Sequence, residues 1–254
     1  MNRQPEHRAM ARKPSSTGGR AAIVTPVDFG ETLAESCDHL NLRLGSGERE
    51  CLLSYLVMLQ RWNRVYNLTA IRDPRQMLIQ HLFDCLAVMS PLQAALASHG
   101  SGPSRAPALL DVGSGAGLPG LVLAIAWPEL EVDLVEPVGK KAAFLRQSAA
   151  ELGLTGRVRV HGCRIEAAEL ARSPDLAICR AFASLADYVS LIEPLLAAST
   201  QVFAMKGQLN EIEAEAAALP RGWRISEIAP LSVPGLAAAR HLVQLAPLPE
   251  STHA

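Results

Sequence analysis

Lysine is nearly absent from this chain: four lysines stand against twenty arginines in 254 residues. The 25 acids offset the 24 lysines and arginines, for a net charge of −1, so no bulk charge draws the chain to nucleic acid and only a local basic patch remains open. Paired cysteine spacing is also missing. The five cysteines, at 37, 51, 85, 163 and 179, form no C-x-x-C and no metal-ligand pattern. That predicts free thiols in a reducing, cytoplasmic compartment and no metal site. No apolar run reaches the roughly 20 residues that span a bilayer, and the N-terminus lacks the apolar core of a signal peptide. No internal repeat is present. With 49% hydrophobic residues, the chain is long enough to bury a full core as one large domain with an extension.

What is there centres on residues 108–120, A-L-L-D-V-G-S-G-A-G-L-P-G. A short apolar run with Asp111 reads as a buried strand. Gly113, Gly115 and Gly117 follow, and then Pro119 opens an apolar run to Trp127, which reads as the first turn of a helix. Strand, glycine turn and helix N-terminus together predict a nucleotide-type pocket. Two ligand classes compete. Residues 115–120 fit the dinucleotide fingerprint G-x-G-x-x-G. Asp111-x-Gly113-x-Gly115-x-Gly117 fits the acidic, three-glycine loop of methyltransferases that bind S-adenosylmethionine. The second is favoured, because Pro119 removes an N–H that a pyrophosphate wants and Asp111 suits a cationic ligand. Glu136, ending the next strand, suits the ribose hydroxyls of either ligand.

Along the chain, residues 1–27 carry five basic residues and one acid among Pro, Ser and Gly, and read as a disordered basic tail. Residues 28–104 read as a helical extension. One helical pattern runs from Asp28 to about Leu44, and a second is capped by Ser46 with Leu52, Leu53, Leu56 and Leu59 on one face. A third starts at Asp73-Pro74 and runs to Val88; there His81 and Asp84, three apart, share a face. Pro91 and the Gly/Ser/Pro stretch 98–107 close this region. From 105 to 248, strands and helices alternate. The strands are expected at 108–112, 131–136, 158–161, 176–179, 201–205, 223–228 and 241–245, with a short helix at 166–171. This predicts an α/β, Rossmann-like, doubly wound seven-stranded sheet ending in an antiparallel pair.

Several segments then line up in order: Tyr66-Asn67-Leu68-Thr69, Arg72-Asp73-Pro74, His81-x-x-Asp84, the 111–120 loop, Gly139-Lys140-Lys141 with Phe144-Leu145, Arg180-Ala-Phe-Ala183, Lys206-Gly207 and Arg240-His241-Leu242-Val243. In these the chain resembles the RsmG (GidB-type) methyltransferases from about residue 30 to 246. The resemblance implies methyl transfer from S-adenosylmethionine to N7 of a guanine in small-subunit (16S) ribosomal RNA, free or in the small subunit. It implies cofactor contacts at Gly113, Gly115, Leu118, Ile165, Glu166 and Arg180, beside Glu136. Departures are small: Cys85 for a frequent Ser, Ser114 for Thr, and Glu136 for Asp. The basic tail is an addition.

Guanine N7 carries a free lone pair, so transfer to it needs positioning rather than a base. Asn67, His81 and Asp84, with Asp84 orienting His81, are candidates to stabilise the charge that develops on the ring. An ion pair of Arg180 with Asp111 or Glu136 is the plainer alternative for that arginine. Cys179 lacks the preceding proline of a cytosine-C5 nucleophile and reads as a buried strand residue. Arg61, Arg64, Arg72, Lys140, Lys141 and Lys206 are candidates for RNA contact, with Trp62 and Tyr66 available to stack on an unpaired base. Transfer to a non-RNA acceptor, or cofactor binding without transfer, are the competing functions. Nothing points to an obligate interface, so a monomer is expected.

Overall fold

The protein, seen in a computed structural model, is described over residues 29–98 and 105–248; the basic segment 1–27 lies outside them. Seven strands form one sheet: β1 (Ala108–Val112), β2 (Glu131–Val135), β3 (Val158–His161), β4 (Leu176–Arg180), β5 (Gln201–Lys206), β6 (Trp223–Pro230) and β7 (His241–Pro247). Their order is β3-β2-β1-β4-β5-β7-β6. The first five are parallel, and β7 enters antiparallel between β5 and β6. The order reverses between β1 and β4, which opens a crevice beyond the carboxyl ends of those strands, the place where open α/β sheets bind ligands.

Residues 108–112 are all buried, as a strand covered on both faces must be. Alternate side chains serve two cores. Leu109, Leu176, Ile178, Phe203 and Leu242 join the larger one, and Leu110, Val112, Ala177, Cys179 and Val243 the smaller. Helix α8 (Leu185–Ile192) packs on the smaller core and is capped by Ser184, whose hydroxyl oxygen accepts the Asp187 N–H. Helices α6 (Gly120–Ala126) and α7 (Gly139–Glu151) cover the larger core. Across them lies the helical region: α1 (Gly30–His39), α2 (Ser46–Tyr66), α3 (Pro74–Met77) running on into a π-helical turn (Leu78–Phe83) and α4 (Asp84–Leu86), then α5 (Met89–Ser98). Helix α2 packs on both α6 and α7, so the helical region and the sheet share one core. Helix α9 (Leu209–Ala216) follows β5.

Four expectations are corrected. The first helix stops at His39 rather than near Leu44, because Asn41 turns left-handed at φ 56°. Ser46 is the first helical residue, and Gly45 takes the cap. Pro91 lies inside the first turn of α5, where a missing N–H costs nothing. The helix expected at 166–171 is a single 3₁₀ turn, Ile165–Ala167. Among the described residues no helix is long and apolar enough to cross a membrane.

Candidate active site

The 111–120 loop is held from within. The N–H groups of Gly113 and Ser114 both donate to the Val135 carbonyl, at 2.9 and 3.1 Å, and those of Gly117 and Leu118 to the Ser114 carbonyl, at 2.7 and 3.0 Å. The Gly115 N–H donates to Glu136 Oε2 and the Gly120 N–H to Asp111 Oδ2, both at 2.8 Å. Six N–H groups are thus spent inside the protein, and an anion approaching this loop meets few donors. Two positions allow only glycine. At Gly120 a Cβ would lie 2.7 Å from Asp111 Oδ2 and 2.5 Å from Leu134 Cδ2. Gly117, at φ +89°, would bring one within 2.7 Å of Leu121 Cβ. Pro119 precedes α6 as its cap rather than standing in its first turn.

Asp111 is fully buried, and its Oδ1 has no hydrogen-bond partner. Burial pushes its pKa up to about 7, against the pull of the Gly120 N–H and Arg180. Glu136 is buried too; its Oε1 accepts the Val138 N–H at 2.8 Å while Oε2 takes Gly115. Each oxygen keeps a lone pair for a further donor. Gly113, Gly115, Glu136 and the turn bearing Ile165 and Glu166 therefore stand together at the carboxyl ends of β1, β2 and β3. Ile165 is buried against the smaller core and Glu166 is exposed. The Leu118 side chain is in the larger core, so only its backbone faces the loop.

On the other side of the crevice lies a cavity of about 500 Å³, lined by Asp84, Arg180, Phe182, Lys206, Glu215 and Arg240 among others. Phe182 divides it from the loop: a Cβ on Gly113 would touch the Phe182 ring at 3.8 Å. Arg180 Nη1 donates to the Gln80 carbonyl at 3.1 Å and to Asp84 Oδ2 at 3.4 Å; Arg240 Nε donates to Asp84 Oδ1 at 3.1 Å. One buried carboxylate thus joins the helical region to β4 and to the start of β7. Arg180 pairs with neither Asp111 nor Glu136.

Asp84 does not orient His81. The π-helical turn over 78–83 changes the angle between residues three apart, so the two side chains leave the common face an α-helix would give them. His81 is buried, and its pKa falls to about 4, chiefly by burial and then by the nearby Arg180 charge. The neutral ring fits its contacts, with Nδ1 donating to the Gln80 carbonyl at 3.1 Å and Nε2 accepting from the Thr69 hydroxyl at 3.0 Å. Asn67 is occupied as well: Arg72 Nη2 donates to its Oδ1 at 2.6 Å. Of the three charge-stabilising candidates only Asp84 lines the cavity.

Lys206 Nζ donates to both Glu215 oxygens, at 2.7 and 2.8 Å, with only 11% of its side chain exposed. It braces α9 against β5 and is no free cation for a phosphate. Arg61, Arg64, Arg72 and Lys140 are exposed and Lys141 half-exposed. Trp62 joins α2, which bears Arg61 and Arg64, to α7, which bears Lys140 and Lys141, its ring 5.5 Å from Phe144 of α7 and 5.0 Å from Tyr66. Trp62 packs on the larger core, and Tyr66 is 43% exposed. Cys179 is buried, and burial raises its thiol pKa, the opposite of what a nucleophile needs.

Three residues escaped nomination. Arg240 stood in a quoted motif without a role. Asn63 is buried and shapes the turn after α2, its Oδ1 accepting the Thr69 N–H and its Nδ2 donating to the Ile71 carbonyl. Tyr55, whose spacing to Leu52 and Leu59 marks the buried face of α2, donates its hydroxyl to the Ala116 carbonyl at 2.6 Å.

A family model described as GidB, rRNA small subunit methyltransferase G, matches residues 48–243. A Bordetella pertussis protein named Ribosomal RNA small subunit methyltransferase G is 45% identical over 234 residues, covering 92% of this chain and 96% of its own length. The protein of that name from Leptothrix cholodnii is 49% identical over 218 residues, covering 85% and 95%.

Proposed function

The chain belongs to the GidB family, rRNA small subunit methyltransferase G, and from that premise we propose that it transfers a methyl group from S-adenosylmethionine to N7 of a guanine in small-subunit (16S) ribosomal RNA. The loop fits this cofactor better than a dinucleotide, since its N–H groups are already spent and a buried carboxylate, Asp111, lies beneath it. When bound, S-adenosylmethionine supplies an electrophilic methyl group on a positively charged sulfur. Backbone at Gly113, Gly115 and Leu118, with Ile165 and Glu166, frames its place. The spare lone pairs of Glu136 suit two ribose hydroxyls. Arg180 has donors left for a carboxylate.

One observation carries the choice of acceptor atom. Two of the three carboxylates lining the cavity beside the loop, Asp84 and Glu215, are held in ion pairs with Arg180, Arg240 and Lys206, and the third, Glu211, is exposed at the rim on α9. A guanine N7 has no proton to give, so such a cavity suffices if it positions the base and excludes water. Asp84 acts there by holding the two arginines. Exposed Arg61, Arg64, Arg72 and Lys140, with half-exposed Lys141, meet RNA phosphates, and Tyr66 offers a stacking face to an unpaired base. The protein works in the cytoplasm, as a monomer.

The test is methyl transfer from labelled S-adenosylmethionine to ribosomal RNA of cells lacking this protein, offered free and as small subunits. The expected product is one N7-methylguanosine in the small-subunit RNA. Label at another atom, or none in any RNA while the cofactor still binds, overturns the assignment.

A further inference from the structure

We propose that Tyr55, on α2 of the helical region, is a positioning residue for the cofactor loop: its hydroxyl fixes the Ala116 peptide in the orientation the cofactor meets. This rests on the functional reading above. Ala116 stands between Gly115 at φ +60° and Gly117 at φ +89°. Glycines on both sides leave the intervening peptide planes little conformational preference of their own. The loop's other bonds come from β1, β2 and Glu136 just beyond it, the start of α6 and the loop itself, all close in sequence or in the adjoining strand. The Ala116 carbonyl is held from α2, 61 residues earlier in the chain, by a fully buried O–H at 2.6 Å. Burial raises the pKa of that hydroxyl, so it remains a donor at neutral pH. Its electrostatic neighbours are Cys85, Arg180 and Asp111, which places it beside the crevice.

The ring is held as firmly as the hydroxyl. Tyr55 lies 6.1 Å from Phe144, Phe144 5.5 Å from Trp62, and Trp62 5.0 Å from Tyr66 at the surface. This aromatic column clamps α2 to α7, so the hydroxyl cannot leave the loop without unpacking a core. On this account the helical region is part of the cofactor site.

Tyr55→Phe keeps the ring and removes one oxygen. S-adenosylhomocysteine binding to the full chain, measured by calorimetry, is expected to weaken three- to tenfold, as for one buried hydrogen bond. The rise in melting temperature that this ligand produces shrinks accordingly, while the KM for RNA stays put. An unchanged Kd with a lowered melting temperature would mean the hydroxyl serves the fold only, and overturns the proposal alone. Failure of the wild-type chain to bind S-adenosylhomocysteine overturns the functional reading, and the proposal with it. If the variant does not fold, amide exchange of the wild type decides. The ligand should slow exchange in residues 52–60 as well as 113–120; slowing confined to 113–120 sinks the idea.

Discussion

The two sides of the crevice are built by opposite means. On the β1–β2 side, a loop of ten residues satisfies itself: six N–H groups find partners in the loop, in the next strand or just beyond it. On the β4–β7 side, single charges are gathered from far apart in sequence. Asp84 meets Arg180 across 96 residues and Arg240 across 156. Local closure makes a rigid cradle of backbone that tolerates little volume. Long-range closure makes a cavity whose walls are held together by charge and fail together.

The largest effect is expected where the charges converge. Asp84→Ala leaves two arginines unpaired around a buried site and should cost about 3 kcal/mol of folding stability, somewhat discounted because both arginines are partly exposed. Methyl transfer should fall with it. Denaturant unfolding measures the first; a loss under 1 kcal/mol would mean that this carboxylate does not tie the regions together.

Next comes pH, on which two buried groups, His81 of the helical region and Asp111 beneath the loop, pull in opposite directions. Folded His81 stays neutral down to about pH 4, whereas the unfolded chain takes up its proton near 6.5. Stability on its account falls as pH drops from 6.5 to 4, by at most about 3 kcal/mol. Asp111 does the reverse: the folded chain keeps a proton up to about pH 7 that the unfolded chain releases near 3.8. Stability on its account falls as pH rises through that window. The wild-type curve therefore partly cancels. His81→Gln should remove the acid-side loss and Asp111→Asn the loss toward neutrality, both read from unfolding between pH 4.5 and 7.5. Identical slopes in all three proteins would contradict both assignments.

Smallest is the volume test of the cradle. Gly120→Ala forces a methyl against Leu134 and Asp111 and should cost about 2 kcal/mol by overpacking. Melting that matches wild type would show that the loop yields more than its bonding implies.

The same contrast explains what could be read without coordinates. All seven strands lie within two residues of expectation at either end; for the five parallel ones the reason is that buried parallel strands are short apolar runs cut off by turn residues. The glycine loop was equally legible, since its demands on backbone are local. The partners of Asp84 were not: an ion pair across 156 residues leaves no mark on spacing. Nor was the π-helical turn, whose extra residue per turn comes from packing rather than composition. Reading that segment as an α-helix put His81 and Asp84 on one face. Lys206 failed similarly, as nothing beside it in sequence announces Glu215.

Strand β7 enters the sheet between two strands made before it. During synthesis, β1 to β5 can assemble as the chain emerges, but β6 has nowhere to pair until residues 241–247 arrive. Arg240 is delivered at the same moment, immediately ahead of that strand. The cavity wall thus closes only once β7 has been made. A nascent chain halted before β7 carries a finished glycine loop and an open β4–β7 side, so, on the function proposed above, competence for transfer waits on that one strand.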